Sequence, residues 1–91
     1  MLKQAHLYIK GDVIGIGFRA WTKIQGKIIG VTGWVKNNEE GFVEAVVQGD
    51  EEKVNQMVET VKRGPPVSRV EDVEIYWQDP KEVFEEFSIV K

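Results

Sequence analysis

An α+β sandwich of the ferredoxin-like, split βαβ type, with an antiparallel sheet and two helices on one face, is the fold class this sequence predicts. Three observations predict it. The spacing of apolar residues changes from period two to a helical period and back, twice, which gives βαββαβ plus a short C-terminal strand. The 91 residues are enough for one compact domain and too few for two, so residues 1–91 form a single domain. The apolar share of 42% matches a globular chain rather than a disordered one.

Each element has its own signal. Ala5-His6-Leu7-Tyr8-Ile9-Lys10 alternates apolar and more polar positions, as a half-buried strand does. Gly11 to Gly17 breaks that period. Phe18, Trp21, Ile24, Gln25 and Ile28 then fall three or four apart, predicting a helix with one apolar stripe and Trp21 in the core. Gly26 and the branched Ile28 and Ile29 lower its intrinsic propensity, so packing has to hold it, and Gly30 ends it. Val31 to Lys36 and Phe42 to Gln48 read as a hairpin closed by the turn-like Asn37-Asn38-Glu39-Glu40-Gly41. Asp50 caps a second helix with Glu51 and Glu52 in its positive first turn; Val54, Met57, Val58 and Val61 form its buried stripe, and Gly64-Pro65-Pro66 stops it. Val73, Ile75 and Trp77 alternate with Asp72, Glu74 and Tyr76 in a fourth strand, and a last short strand lies around Phe87 and Ile89. Trp34 and Trp77 are expected to pack against the sheet.

Topology adds a constraint that sequence distance hides. Right-handed crossovers limit the geometry, and in the usual ferredoxin-like sheet strands one and two run the same way with strand three between them. The loop ending in Arg19 follows strand one and Asn37 ends strand two, so both reach one sheet edge, two strand spacings or roughly 10 Å apart.

Composition excludes several classes of function. The net charge is −3 and the basic residues are scattered, which argues against a nucleic-acid surface. No apolar run of 18 residues exists, so no membrane span is expected, and the N-terminus lacks the pattern of a signal peptide. There is no cysteine for a disulfide or a thiolate metal site. A cytoplasmic, free-standing monomer is the expectation, the chain ending at its last strand without a linker. The abundance of Glu and Lys hints at a heat-adapted host.

The segment Gly11-Asp12-Val13-Ile14-Gly15-Ile16-Gly17-Phe18-Arg19 joins a strand to a helix. Glycines permit positive φ and a close backbone approach, successive amides can converge into an anion nest, and the helix start adds unpaired donors. Arg19 would complete a phosphate cradle made by Gly15, Ile16, Gly17, Phe18 and Arg19 with a planar, permanently charged fork. Taken alone, the loop serves equally well as a tight glycine turn carrying a solvated arginine, because short glycine patterns are weak motifs. No Gly-Lys-Ser/Thr follows, so it is not a Walker A loop.

That segment, followed by Gly33-Trp34-Val35-Lys36-Asn37 and Gly41-Phe42-Val43-Glu44, resembles the acylphosphatase family, and Gly49-Asp50 and Gly64-Pro65-Pro66 stand where the family places them. The resemblance covers essentially the whole chain. It implies hydrolysis of the carboxyl–phosphate bond of small acyl phosphates to carboxylate and inorganic phosphate, with no metal and no cofactor. It assigns phosphate binding to Arg19 and orientation of the attacking water to Asn37. Two positions depart from the family pattern: Ile14 stands where Gln is usual, and Ile16 where Val is usual. The chemistry suits so sparse a site, since the leaving carboxylate has a conjugate acid of pKa about 4 to 5 and needs no strong general acid.

Other conspicuous residues read more plainly. His6 shares a strand face with Tyr8 and Lys10 and shows no evident base or metal partner. Asn38 reads as an ordinary turn residue, and Glu39-Glu40 and Glu85-Glu86 as solvated charges. The alternatives to an enzyme are a non-catalytic small-anion binding or regulatory module, since this fold hosts many functions, and an accessory domain like the acylphosphatase-like region of carbamoyl-transferring maturation proteins.

Overall fold

A computed structural model describes residues 1–91. Its elements are β1 (Lys3–Asp12), α1 (Phe18–Ile29), β2 (Thr32–Asn37), β3 (Val43–Gly49), α2 (Glu51–Arg63), β4 (Arg69–Gln78) and β5 (Phe87–Ile89). They form one five-stranded sheet in the order β4-β1-β3-β2-β5. As expected of a ferredoxin-like sheet, β3 lies between β1 and β2, antiparallel to both. No helix is long and apolar enough to cross a membrane.

One feature of the sheet differs from expectation. β5 pairs with β2 in parallel, so the sheet is mixed rather than wholly antiparallel. The cause is the return path after β4: the chain reverses and reaches the outer edge of β2. Gln48 ties this path to the sheet, donating from Nε2 to the Glu82 carbonyl at 2.6 Å and accepting from the Phe84 amide at 3.1 Å.

Alternation assigns the two faces. Ala5, Leu7, Ile9, Val35, Val43, Ala45 and Val47 are fully buried on the face that carries the helices, where they meet Val54, Met57, Val58 and Val61 of α2, as the α2 stripe predicts. His6, Tyr8, Lys10, Glu44 and Gln48 occupy the opposite face by the same alternation.

The stripe of α1 is not the expected one. Ile24 and Ile28 are 55% and 72% exposed, and the buried line is Phe18, Thr22 and Gly26, with Trp21 and Ile29 partly buried beside it. Thr22 enters the interior because its hydroxyl donates to the Phe18 carbonyl four residues back, at 2.8 Å. Gly26 is on this line because the Phe87 ring packs directly on the helix there, and a Cβ would stand 2.7 Å from it. Threonine and glycine do not count as apolar in a periodicity search, so the true stripe was invisible to it. Trp77 also departs from its expectation, being 50% exposed and lining an open cleft with Glu51 and Asn55. Trp34 is half-buried, its ring edge-on to His6 at 5.7 Å.

Candidate active site

The loop between β1 and α1 begins at a register shift. Pairing of β1 with β4 slips between Lys10 and Gly11, and Gly11 lies so close to β4 that a Cβ would meet the Arg69 carbonyl oxygen at 2.2 Å. Beyond it the loop is pinned at three points: Val13 and Phe18 are buried, and Ile16 packs against the core. Between the pins Gly15 and Gly17 take left-handed φ values of 78° and 80°. A Cβ at either would touch nothing within 4 Å. Glycine is therefore required there by backbone conformation, not by crowding. Ile14, between Val13 and Gly15, is 39% exposed.

The amides of residues 14–17 donate to no carbonyl and no side chain. Gly17 caps α1 without a side-chain hydrogen bond, and the first turn of α1 holds no acidic residue. The positive helix end and the loop donors are thus left uncompensated by the protein at one place. Arg19, the second residue of α1, is exposed and makes no ion pair within 4.0 Å.

Asn37 ends β2 opposite Val43, and Ile9 of β1 faces Val43 from the other side. Asn37 and Ile9 are therefore two strand spacings apart, about 10 Å, and the loop that leads to Arg19 departs three residues after Ile9. By alternation with the buried Gly33 and Val35, Asn37 belongs to the helix-bearing face, the side on which α1 begins. The topology thus brings Arg19, the loop and Asn37 to the same edge of the sheet.

Two open concavities lie elsewhere. A groove of about 420 Å³ on the open face is lined by His6, Tyr8, Lys10, Phe42, Glu74 and Tyr76, and the cleft at Trp77 holds about 510 Å³. Neither includes the loop or Asn37. A tetrahedral anion held by converging donors needs no deep cavity, so the chemistry of the donors outweighs the volumes here.

On the open face, His6 has the partner the sequence did not reveal. Its Nε2 lies 2.6 Å from Oε2 of Glu44, a carboxylate buried to 12% side-chain exposure. The other carboxylate oxygen accepts from Nδ2 of Asn38 at 3.0 Å, and Lys36 Nζ stands 4.0 Å away. Burial alone would raise the Glu44 pKa. The hydrogen bonds from His6 and Asn38, with the charges of His6 and Lys36, outweigh burial and hold it below its ordinary 4.5. On the neighbouring strand Lys10 donates to Glu74 at 3.0 Å, which raises the lysine pKa and lowers that of the carboxylate. Tyr8, stacked on His6, is raised by burial and then by the Glu44, Tyr76 and Glu74 charges.

Glu44 is the residue that sequence reasoning missed. Its signal was present: in a strand whose helix-side positions are all apolar, a carboxylate falls on the opposite face beside a histidine of the next strand. The Ala5↔Val47 and Leu7↔Ala45 register is what makes them neighbours. Glu39, Glu40, Glu85 and Glu86 are exposed, as expected, and no group of three or more His, Asp or Glu side chains is arranged to hold a metal ion.

Comparison with known proteins shows the family and the fold. The acylphosphatase family model matches residues 5–89. An acylphosphatase of Syntrophobacter fumaroxidans is 44% identical over 96% of this chain and 90% of its own length. One from Thermococcus kodakarensis is also 44% identical, over 96% of this chain and 94% of its own. The crystal structure of the Bacillus subtilis acylphosphatase superposes with a TM-score of 0.94 at 36% identity, covering all of both chains.

Proposed function

The chain belongs to the acylphosphatase family, and from that premise we propose that Arg19 and the amides of the 15–19 loop hold the phosphoryl group while Asn37 orients the attacking water. The reaction is that of an acylphosphatase: an acyl phosphate and water give a carboxylate and inorganic phosphate. Water attacks phosphorus, the bond from phosphorus to the acyl oxygen breaks, and the carboxylate leaves with the electron pair. The water's protons end on the phosphate product and the medium.

The observation that supports this division of labour is the set of donors the fold leaves unpaired at one edge. Free amides at 14–17, an unopposed helix start and an arginine with no carboxylate partner all favour an anion. The phosphoryl oxygens carry charge through the transition state, so donors already in place stabilise it without reorganising. Asn37 is neutral and both donates and accepts, which suits it to fix a water in line with the leaving carboxylate. The mechanism proposed needs no metal.

Asn37→Ala separates the two roles. Inorganic phosphate, titrated by calorimetry, should bind with near-normal affinity, while kcat for an aromatic acyl phosphate, assayed in excess EDTA, should fall roughly 100-fold. Normal turnover in Asn37→Ala would remove the role given to this residue, and loss of wild-type activity in EDTA would remove the metal-free mechanism.

A further inference from the structure

We propose that Glu44 is a positioning residue for the reaction: through Asn38 it sets the direction in which Asn37 faces. The inference rests on the role given above to Asn37.

The argument begins with strand alternation. Asn37 is the last residue of β2 and belongs to the helix-bearing face by alternation with Gly33 and Val35. Asn38, the residue just beyond the strand, reaches Glu44 on the open face. Whatever holds Asn38 to the open face turns Asn37 to the other, toward the side where α1 and its loop begin. Asn38 is held by all four of its polar groups. Its amide donates to the Phe42 carbonyl at 2.7 Å, its carbonyl accepts from the Gly41 amide at 3.1 Å, and its Oδ1 accepts from the Glu40 amide at 2.8 Å. These three bonds shape the turn, and all of them lie within residues 38–42.

Only the fourth bond, from Nδ2 to Glu44, ties the turn to the body of the sheet. Glu44 is a fixed anchor because its second oxygen is taken by His6 from β1, the central neighbour of β3. His6 is itself stacked on Tyr8 at 4.8 Å and touched edge-on by Trp34. No buried side-chain polar atom in the protein lacks a partner, so the chain His6–Glu44–Asn38 is complete as it stands. A carboxylate accepts at both oxygens and adds a charge to both bonds. The amide of Gln keeps one acceptor for Asn38 and can meet His6 only with its donor, which forces the imidazole to present Nε2 as an acceptor.

Positioned groups lose rate steeply with small displacements, and they do so without touching the binding of a ligand held elsewhere. The test therefore uses inorganic phosphate affinity beside kcat for an aromatic acyl phosphate, in variants whose folding is checked by circular dichroism. Glu44→Gln should lower kcat roughly tenfold and leave the phosphate dissociation constant unchanged. Asn38→Ala should do the same. The double variant should be no slower than the slower single one, because both break one link. Asn38→Ser, which keeps a donor for Glu44 and an acceptor for the Glu40 amide, should recover most of the loss. If Glu44→Gln misfolds, Asn38→Ala and Asn38→Ser decide the matter alone.

Unchanged kcat in folded Asn38→Ala overturns the proposal, as does a parallel loss of phosphate affinity or an additive double variant. The assignment of Asn37 is tested separately. Where Asn37→Ala is slow but the Glu44 and Asn38 variants are not, only the positioning inference fails. Where Asn37→Ala is fast, the role of Asn37 fails first. In an Asn37→Ala background, Glu44→Gln should cause no further loss.

Discussion

The loop before α1 and the turn after β2 each deliver one side chain to the same sheet edge, and they are built in opposite ways. Around Arg19 the protein leaves donors unpaired: free loop amides, a bare helix start and an arginine without an ion pair. Beside Asn37, all four polar groups of Asn38 are engaged, down to a buried carboxylate with a partner on each oxygen. The difference fits the roles proposed for the two side chains. A group that binds an anion gains most when the protein does not already neutralise it. A group that aims a small neutral dipole has little attraction of its own, and so depends on a rigid support.

The first way to break the contrast is also the largest effect. Arg19→Ala should abolish phosphate binding and lower turnover by about 1,000-fold or more, the scale of losing a phosphoryl-clamping arginine. Arg19→Lys should restore little, since one ammonium does not reproduce the two-pronged fork. Yet the unfolding free energy should move by no more than about 0.5 kcal/mol, because Arg19 is exposed and makes no ion pair. Steady-state kinetics beside urea melts reads both. A strongly destabilised Arg19→Ala would show that the loop is not the unpaired region described here.

The network around Glu44 should behave the other way, weighing on stability. Its pKa is depressed on folding, so its contribution is full above the ordinary value of 4.5 and is lost as pH falls through the folded value. Wild type should exceed Glu44→Gln by about 1–3 kcal/mol at neutral pH, and the two curves should converge below the ordinary carboxylate range. His6, Lys36, Asn38 and Tyr8 surround the carboxylate in both proteins, so the comparison isolates its charge. Urea melts from pH 3 to 7 make the measurement. A gap that stays constant across that range would mean the stabilisation does not come from the carboxylate charge.

The smallest effect sharpens the loop side. Gly17→Ala meets no steric obstacle but must hold a φ of 80°, which costs an L-residue about 1–2 kcal/mol. If the amides form the cradle, part of that cost should appear as weaker phosphate binding, with Arg19 still in place. Phosphate affinity equal to wild type in a folded Gly17→Ala would leave the cradle to Arg19 alone.

Much of this was legible in the amino-acid sequence. The α2 stripe, the alternation of β1 and β3 and the hairpin turn are local patterns of period and turn chemistry, and each stands where it was expected, whereas Trp77 of β4 does not. The Arg19 loop stood out because glycine spacing marks a backbone requirement, whereas Asn37 stood out from Asn38 only through the resemblance to the acylphosphatase family. The failures share a cause. Ile24 and Ile28 have the right spacing for a core stripe, but Thr22 and Gly26 occupy it, because a hydroxyl is satisfied within its own helix and the Phe87 ring needs the space of a missing side chain.

Local patterns along the chain thus account for the set of elements and their order. What only tertiary structure decided is everything that depends on register between strands or on contact between layers. Glu44 and His6 are 38 residues apart and become partners through the pairing of β1 with β3. Asn38 looks like any turn asparagine until that carboxylate lies beneath it. The parallel β5 likewise depends on a return path held by Gln48, and on a bare helix face at Gly26 for Phe87 to meet. Local propensity acts through the nearest few residues, whereas these choices are made by hydrogen-bond satisfaction and shape between groups that meet only when the chain has folded.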